Sequence, residues 1–270
     1  MGTNPSAPYG TDIISRHSYG LAAIADSAPL DSEVPTCSDW TLAALVWHLT
    51  KVQRFWTHIL SHRPAGPEDY QAPSPPDDEN SLADGLRNSC DGLVEVLNGA
   101  DPSDPAWSWA AEQTVGFSIR RQSHEALIHH CDGLISAGLA TPEASPALGA
   151  DGVDEVVSVM LCEVPQWARF DPTSGVIQLA ATDVDQSWTL AFGRVTGVAP
   201  DTGQAFDLDG FALSDAAGSE NPESADAVVS ADAFQLDLWL WGRPATGIMT
   251  KGDTELVHRF RSILNEVTSG

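Results

Sequence analysis

The densest group of metal-capable side chains in the sequence runs from Arg120 to Asp132: Arg-Arg-Gln-Ser-His-Glu-Ala-Leu-Ile-His-His-Cys-Asp. The stretch holds no Pro or Gly, is rich in helix formers, and is followed by the small residues Gly133, Ala137 and Gly138, so a helix is predicted. On that helix Glu125 and His129 fall within about 40° of each other, one turn apart on one face. Such a pair is a two-ligand platform for a divalent metal. The zinc-peptidase motif, two His a turn apart with Glu directly after the first, is missed by one residue. His124 and His129 diverge by roughly 140° around the helix, too far to share one ion. His124 and His130 therefore belong to other faces. A Glu-x-x-x-His pair is also, and more often, what a solvated helix face carries, so the metal reading needs a third ligand from another element.

The elements that could supply it are legible upstream. Ile13, Ile14, Leu21, Ala22 and Ile24 predict a helix from Asp12 to Asp26, ended by the segment Asp31 to Cys37 with Pro35. Ser38 or Asp39 then caps a helix over Trp40 to Leu60, the most strongly patterned in the chain. His48, between Leu45 and Val52 in that pattern, projects beside the buried stripe. A loop from His62 to Asp78 carries five prolines and no periodicity, and is expected to be an irregular rim over a cavity. A third helix is predicted from Ser81 to Leu97, a Trp- and Pro-bearing connection from Asp101 to Phe117, and the fourth helix over Ser118 to Ala137. Four helices imply a bundle, and bundles build metal sites from facing helices. His48 is then the candidate third ligand.

After Thr141 the pattern changes. A helix over Asp154 to Val164 precedes strand-like runs at Val176 to Ala181, Trp188 to Val195 and Ala227 to Ser230. A helix over Phe234 to Gly242, a short strand over Gly247 to Thr250 and a closing helix over Glu255 to Val267 complete the reading. The fold class is therefore α+β, with residues 1–145 as the helical bundle and residues 146–270 as a smaller α+β domain around a mostly antiparallel sheet.

Composition narrows the function classes. With 38 acidic against 13 basic residues the net charge is −25, which repels phosphate backbones and anionic membranes, so neither nucleic acid nor a membrane is an expected partner. Cys37, Cys90, Cys131 and Cys162 are widely spaced with no C-x-x-C pair, which indicates reduced thiols and a cytoplasmic setting. No apolar run approaches the roughly 18 residues of a membrane span, and the first residues lack the pattern of a signal peptide.

Five segments in order carry a family resemblance: Thr36 to Leu49 with its Trp40 and His48, Arg120 to Asp132, Asp151 to Glu155, Ala181 to Asp183, and Leu238 to Pro244 (Leu-Trp-Leu-Trp-Gly-Arg-Pro). Together they resemble the mycothiol-dependent maleylpyruvate isomerase family of actinobacteria over nearly the whole chain. The resemblance implies a DinB-like four-helix bundle followed by a sterol-carrier-like domain. It also implies a divalent metal, usually zinc, on His48, Glu125 and His129, with mycothiol, a low-molecular-weight thiol, as cosubstrate. The chain departs from the family at Ser38 and Asp39, where Pro-Gly is common, and the departure is expected to affect mainly the cap of the second helix.

Two His and one Glu leave an open position on a tetrahedral zinc, the pattern of a catalytic site. A thiol bound there is held as the thiolate. In an isomerase of this type it adds to a cis double bond conjugated to a carbonyl, and rotation and elimination give the trans alkene; in an S-transferase the adduct leaves. Both need a cation for a carboxylate or enolate. Arg243 matches an Arg carried by the family and is the candidate catalytic residue, its alternative being a surface Arg after a helix. Arg120 and Arg121 either orient substrate or pair with acids. His124 and His130 are read as solvated rather than as acid–base groups, and Trp40, Trp47 and Trp56 as core. Three readings stand: a thiol-dependent metalloenzyme acting on a small molecule as a monomer or weak dimer, a small-ligand-binding protein with a vestigial metal site, and a regulatory partner. Intact His48, Glu125 and His129 argue against the third.

Overall fold

The computed structural model describes residues 7–37, 39–162, 164, 167–200, 202–214 and 225–268. The chain divides into two compact units, Met1–Glu143 and Ala144–Gly270.

The first unit is helical, built from α1 (Thr11–Ser27), α2 (Leu42–Ser61), α3 (Leu82–Asn98) and α4 (Val115–Ser136). α1 and α2 each pack against both α3 and α4. Leu21, Leu42, Leu45, Val46, Leu49 and Leu86 form a buried apolar cluster. Within the buried interior Gln53 donates to Ser18 Oγ at 2.6 Å and accepts from Ser89 Oγ at 3.0 Å, tying α2 to α1 and α3. A satisfied buried network of this kind fixes the register of the helices it joins. α1 and α4 approach closely at two glycines: a Cβ on Gly20 would come within 2.4 Å of the His130 ring, and one on Gly133 within 2.5 Å of Leu21 Cδ1.

The cap of α2 is Thr41, whose Oγ1 accepts from the Ala44 amide at 3.3 Å, and not Asp39. A cap of this type stabilises by about 1 kcal/mol. Ser38, the other predicted cap, lies outside the described residues. Asp39 instead adopts a φ of 69°, the left-handed region that Asp tolerates better than most side chains. The segment before α2 folds back on itself, with the Val34 amide donating to Trp40 O and the Leu42 amide to Ser32 O, both at 2.9 Å. That fold-back carries Thr36, Cys37 and Trp40 alongside the start of α2. α4 begins at Val115, before the predicted Ser118, because Thr114 caps it by accepting from the Phe117 amide at 3.1 Å.

The second unit holds a five-stranded sheet in the order β3-β2-β1-β4-β5, from β1 (Ala168–Ala181), β2 (Ser187–Val198), β3 (Ala205–Leu213), β4 (Ala227–Ala231) and β5 (Met249–Gly252). β1 and β4 are parallel and the other neighbours antiparallel. α5 (Pro146–Glu155), which continues as a π-helical segment Val156–Leu161, α6 (Ala233–Leu240) and α7 (Thr254–Thr268) complete it. Val153, Val157, Ile177, Leu190, Leu236 and Phe260 share its core. The molecule is thus mixed α and β with a helical N-terminal unit.

Three features depart from the sequence reading. The helix expected at Asp154 starts at Pro146, with Ser145 Oγ accepting from the Leu148 amide at 3.2 Å, a start signal of cap plus first-turn Pro. β1 reaches back to Ala168 across an irregularity between Pro172 and Val176, where Gly175 has a φ of 121°. β3 was not expected, because Asp and Gly are poor strand formers. Arg194 of β2 compensates it, pairing with Asp207 at 2.8 Å and Asp209 at 2.6 Å. Among the described residues no helix is long and apolar enough to cross a membrane.

Candidate metal centre

His48 of α2 meets Glu125 and His129 of α4 where these helices pack together. Glu125 Oε1 lies 3.3 Å from His48 Nε2 and 3.3 Å from His129 Nε2. The three residues each offer one ligand atom, all within 4.8 Å of one another. Their side chains are 26%, 16% and 12% exposed, so the cluster is largely sheltered from solvent.

Neighbouring side chains fix each ligand. Glu125 Oε2 accepts from Arg121, one turn earlier, at 2.5 Å, so Oε1 is left facing the imidazoles. His129 Nδ1 stands 3.0 Å from Asp132 Oδ2. Asp132 is fully buried, its Oδ1 accepting from Thr36 Oγ1 at 2.6 Å and its Oδ2 from Cys37 Sγ at 3.7 Å. A carboxylate at Nδ1 keeps the proton there and directs the Nε2 lone pair into the cluster, the arrangement that orients metal-bound histidines. The Trp40 ring lies 4.7 Å from that of His48 and 6.2 Å from that of His129, centroid to centroid, and covers both imidazoles.

The electrostatics suit a cation. Burial opposes the charge of Glu125, but Arg121 and His129 outweigh it and hold the carboxyl well below its ordinary range. Burial likewise opposes the charge of His129, yet Glu125 and Asp132 prevail and push it up to about 9. In the metal-free protein a proton on His129 thus supplies the positive charge between two carboxylates. Two imidazole nitrogens and one carboxylate oxygen are a zinc donor set with a position left over, so the residues fit a divalent ion. Cys37, His129 and Asp132 also lie within ligand range of one another. Their atoms are already engaged around the Nδ1 side of His129, which makes them the support of the first group.

The other candidates fall elsewhere. His124 is fully buried, not solvated. His130 Nδ1 lies 3.0 Å from His17 Nδ1 across the α1–α4 contact. Burial, helped by His130 and Arg16, lowers His17 to about 4, and burial lowers His130 to about 4, so both are neutral near pH 7 and one ring donates to the other. The solvated reading fails for His124, which is buried in the bundle, and His130 is half-buried and turned toward His17 of α1. Arg121 pairs with an acid, as one of the two predicted alternatives had it. Arg243, in the second unit after α6, is 7% exposed and donates to Trp241 O, so it is not a surface residue. Of the three tryptophans read as core Trp56 is buried, and Trp40 and Trp47 are partly buried and pack against the core, Trp40 beside the cluster and Trp47 at the edge of a hollow.

Sequence reasoning missed Asp132, Thr36 and Trp40. Asp132 had a usable signal, since a residue three after His129 shares its helix face. Thr36 and Trp40 lie in a segment that carries the family resemblance, but no periodicity gives their places, because a fold-back outside any helix delivers them.

Residues 12–132 match the family model described as the mycothiol maleylpyruvate isomerase N-terminal domain. The match contains all three converging residues, His48, Glu125 and His129. No curated protein and no solved structure matches the chain.

Proposed function

Through residues 12–132 the chain belongs to the family of the mycothiol maleylpyruvate isomerase N-terminal domain, and from that membership we propose that it is a mycothiol-dependent metalloenzyme. The reaction is cis–trans isomerisation of the maleylpyruvate type or a related S-transfer. The observation that carries the proposal is the position of Glu125 Oε1, 3.3 Å from the Nε2 atoms of both His48 and His129, inside the segment that carries the family match.

His48 Nε2, Glu125 Oε1 and His129 Nε2 are the ligands of a divalent ion, zinc by donor type. An ion held by these residues would supply Lewis acidity that lowers the pKa of an incoming thiol. Asp132 holds the His129 proton at Nδ1, Arg121 holds the outer oxygen of Glu125, and Trp40 shields the imidazoles from water. Addition of the thiol sulfur to a cis double bond conjugated to a carbonyl leaves a single bond free to rotate, and elimination of the same sulfur gives the trans alkene. In S-transfer the adduct is the product. Arg243 is the proposed cation for the substrate carboxylate or the developing enolate.

The same reading takes residues 1–145 as a DinB-like four-helix-bundle domain and residues 146–270 as a sterol-carrier-like domain, acting in the cytoplasm. The pairwise packing of α1 to α4 and the helices gathered on a five-stranded sheet support it. The test is elemental analysis of full-length protein prepared without chelator, followed by a mycothiol-dependent assay for conversion of maleylpyruvate to its trans isomer or to a thiol adduct. About one equivalent of metal and turnover lost in His48→Ala are expected. A fully metal-loaded protein that forms neither product overturns the enzyme in favour of a ligand-binding protein.

A further inference from the structure

Away from the metal cluster, α2 presents a second surface toward α3. Trp47 and Arg54 of α2, Leu82 and Gly85 of α3, and Ser74 and Pro76 of the proline-rich loop line a hollow of about 120 Å³. A cavity of roughly 150 Å³ takes a benzene ring. This hollow is smaller than that and open on one side, so a planar group would enter it in part, with its polar end toward solvent.

Its walls offer two chemistries. Trp47 presents an aromatic ring, and the guanidinium carbon of Arg54 lies 5.7 Å from the centroid of that ring. Cation–π contact orients the guanidinium while leaving its in-plane donors available. Among the described residues Arg54 forms no ion pair, whereas Arg63, Arg87, Arg121, Arg169, Arg194 and Arg259 each hold an Asp or Glu. Arg16 and Arg261 likewise form no ion pair among the described residues, and the exposed Arg54 differs from them in lining this hollow. Lys51, one turn earlier on α2, adds a second positive charge to the helix.

The floor is open as well. Gly85 lies inside α3, where glycine costs about 1 kcal/mol relative to alanine. A Cβ built on it meets nothing within 4 Å, so helix packing does not require glycine there. Gly133 of α4, where a Cβ would strike Leu21 at 2.5 Å, shows what a packing glycine looks like in the same unit.

We propose that the α2–α3 hollow is a binding subsite for a small planar carboxylate. Arg54 receives the carboxylate through charge-assisted hydrogen bonds, and Trp47 and Leu82 receive the apolar body. None of these residues belongs to the metal cluster, so the proposal stands or falls apart from the proposed enzyme.

The test uses the full-length chain treated with chelator, which removes a bound metal as a competing carboxylate site. Benzoate and its neutral counterpart benzamide are titrated while the Arg54 Nε–H and Trp47 indole N–H signals are followed by 15N NMR. Benzoate should shift both signals saturably, and benzamide should bind about tenfold more weakly or worse, the scale of a charged hydrogen bond. Arg54→Gln should weaken benzoate by a similar factor. Gly85→Leu should abolish binding by filling the floor, with no fall in Tm. The proposal is overturned if no saturable shift appears, if Arg54→Gln binds benzoate as wild type does, or if Gly85→Leu leaves binding undiminished.

Discussion

Asp132 Oδ2 stands 3.0 Å from His129 Nδ1, on the ring atom that faces away from Glu125. Asp132 is fully buried and receives a 2.6 Å hydrogen bond from Thr36 Oγ1, so the carboxylate is anchored from outside the helix. The imidazole is therefore oriented before any ion arrives. Asp132→Asn keeps the shape and removes the charge that holds the Nδ1 proton. It should lower metal affinity by about 10- to 100-fold, the usual loss when such a partner is removed. Competition against a chromophoric chelator measures it, with circular dichroism as the check on folding. Unchanged affinity would show that His129 is oriented by packing alone.

How much of this centre the sequence disclosed depends on where each residue sits. Glu125 and His129 were readable because a helix converts spacing into angle, and His48 because it lies beside the strongest apolar stripe in the chain. Asp132 obeyed the same periodicity and was passed over for the ligands themselves. Trp40 could not be read: its place follows from the hydrogen bonds of the 32–42 fold-back, which no periodicity reports. In the second unit, β3 stayed hidden because its Asp207 and Asp209 are poor strand formers whose partners, Arg194 on the neighbouring strand and Arg259 of α7 for Asp209, lie far along the chain. Pairing between distant segments, rather than local propensity, made both of these features.

Metal uptake should depend on pH with a definite sign. His129 is raised to about 9 in the metal-free protein, so near pH 7 it is protonated and an incoming ion must expel that proton. Affinity should rise with pH by roughly tenfold per unit below about 9 and level off above. An indicator dye in weak buffer should report about one proton released per ion bound at pH 7. No release would mean that His129 is already neutral. The same shift bears on the metal-free fold. Because the folded pKa lies above the ordinary 6.5, this stabilisation is complete below 6.5 and fades as pH rises through about 9. Glu125, held below its ordinary 4.5, contributes in the opposite sense, above 4.5, and that contribution is lost as the solution becomes acidic enough to protonate it.

Asp39 is the position at which the family resemblance leads one to expect Gly, and its φ of 69° lies in the left-handed region that favours glycine. An L side chain there is strained by about 1–2 kcal/mol, less for Asp, and glycine's larger entropy loss offsets part of the relief. Asp39→Gly should therefore stabilise the chain by roughly 0.5 kcal/mol, read as a shift of the urea midpoint at constant slope. A destabilisation would mean that the Asp39 side chain makes a contact worth more than the strain.

The proposed thiol chemistry would require a sulfur from outside the chain, and the positions of the cysteines say why. Cys90 and Cys131 are fully buried, and burial pushes Cys162, in the second unit, up to about 12. Cys37 is the only cysteine in either candidate ligand group among the described residues, and its Sγ is directed at Asp132 Oδ2. Replacing the native ion with cobalt gives a direct readout, because a sulfur ligand adds an intense thiolate-to-cobalt band in the near ultraviolet. The cobalt protein should lack that band at rest and gain it on titration with mycothiol or a truncated analogue. Cys37→Ser should behave as wild type, and His48→Ala should give no band. A band present before any thiol is added, and lost in Cys37→Ser, would make Cys37 a ligand and close the open position. A fully occupied cobalt site that shows no band at millimolar mycothiol would remove the thiol from the mechanism.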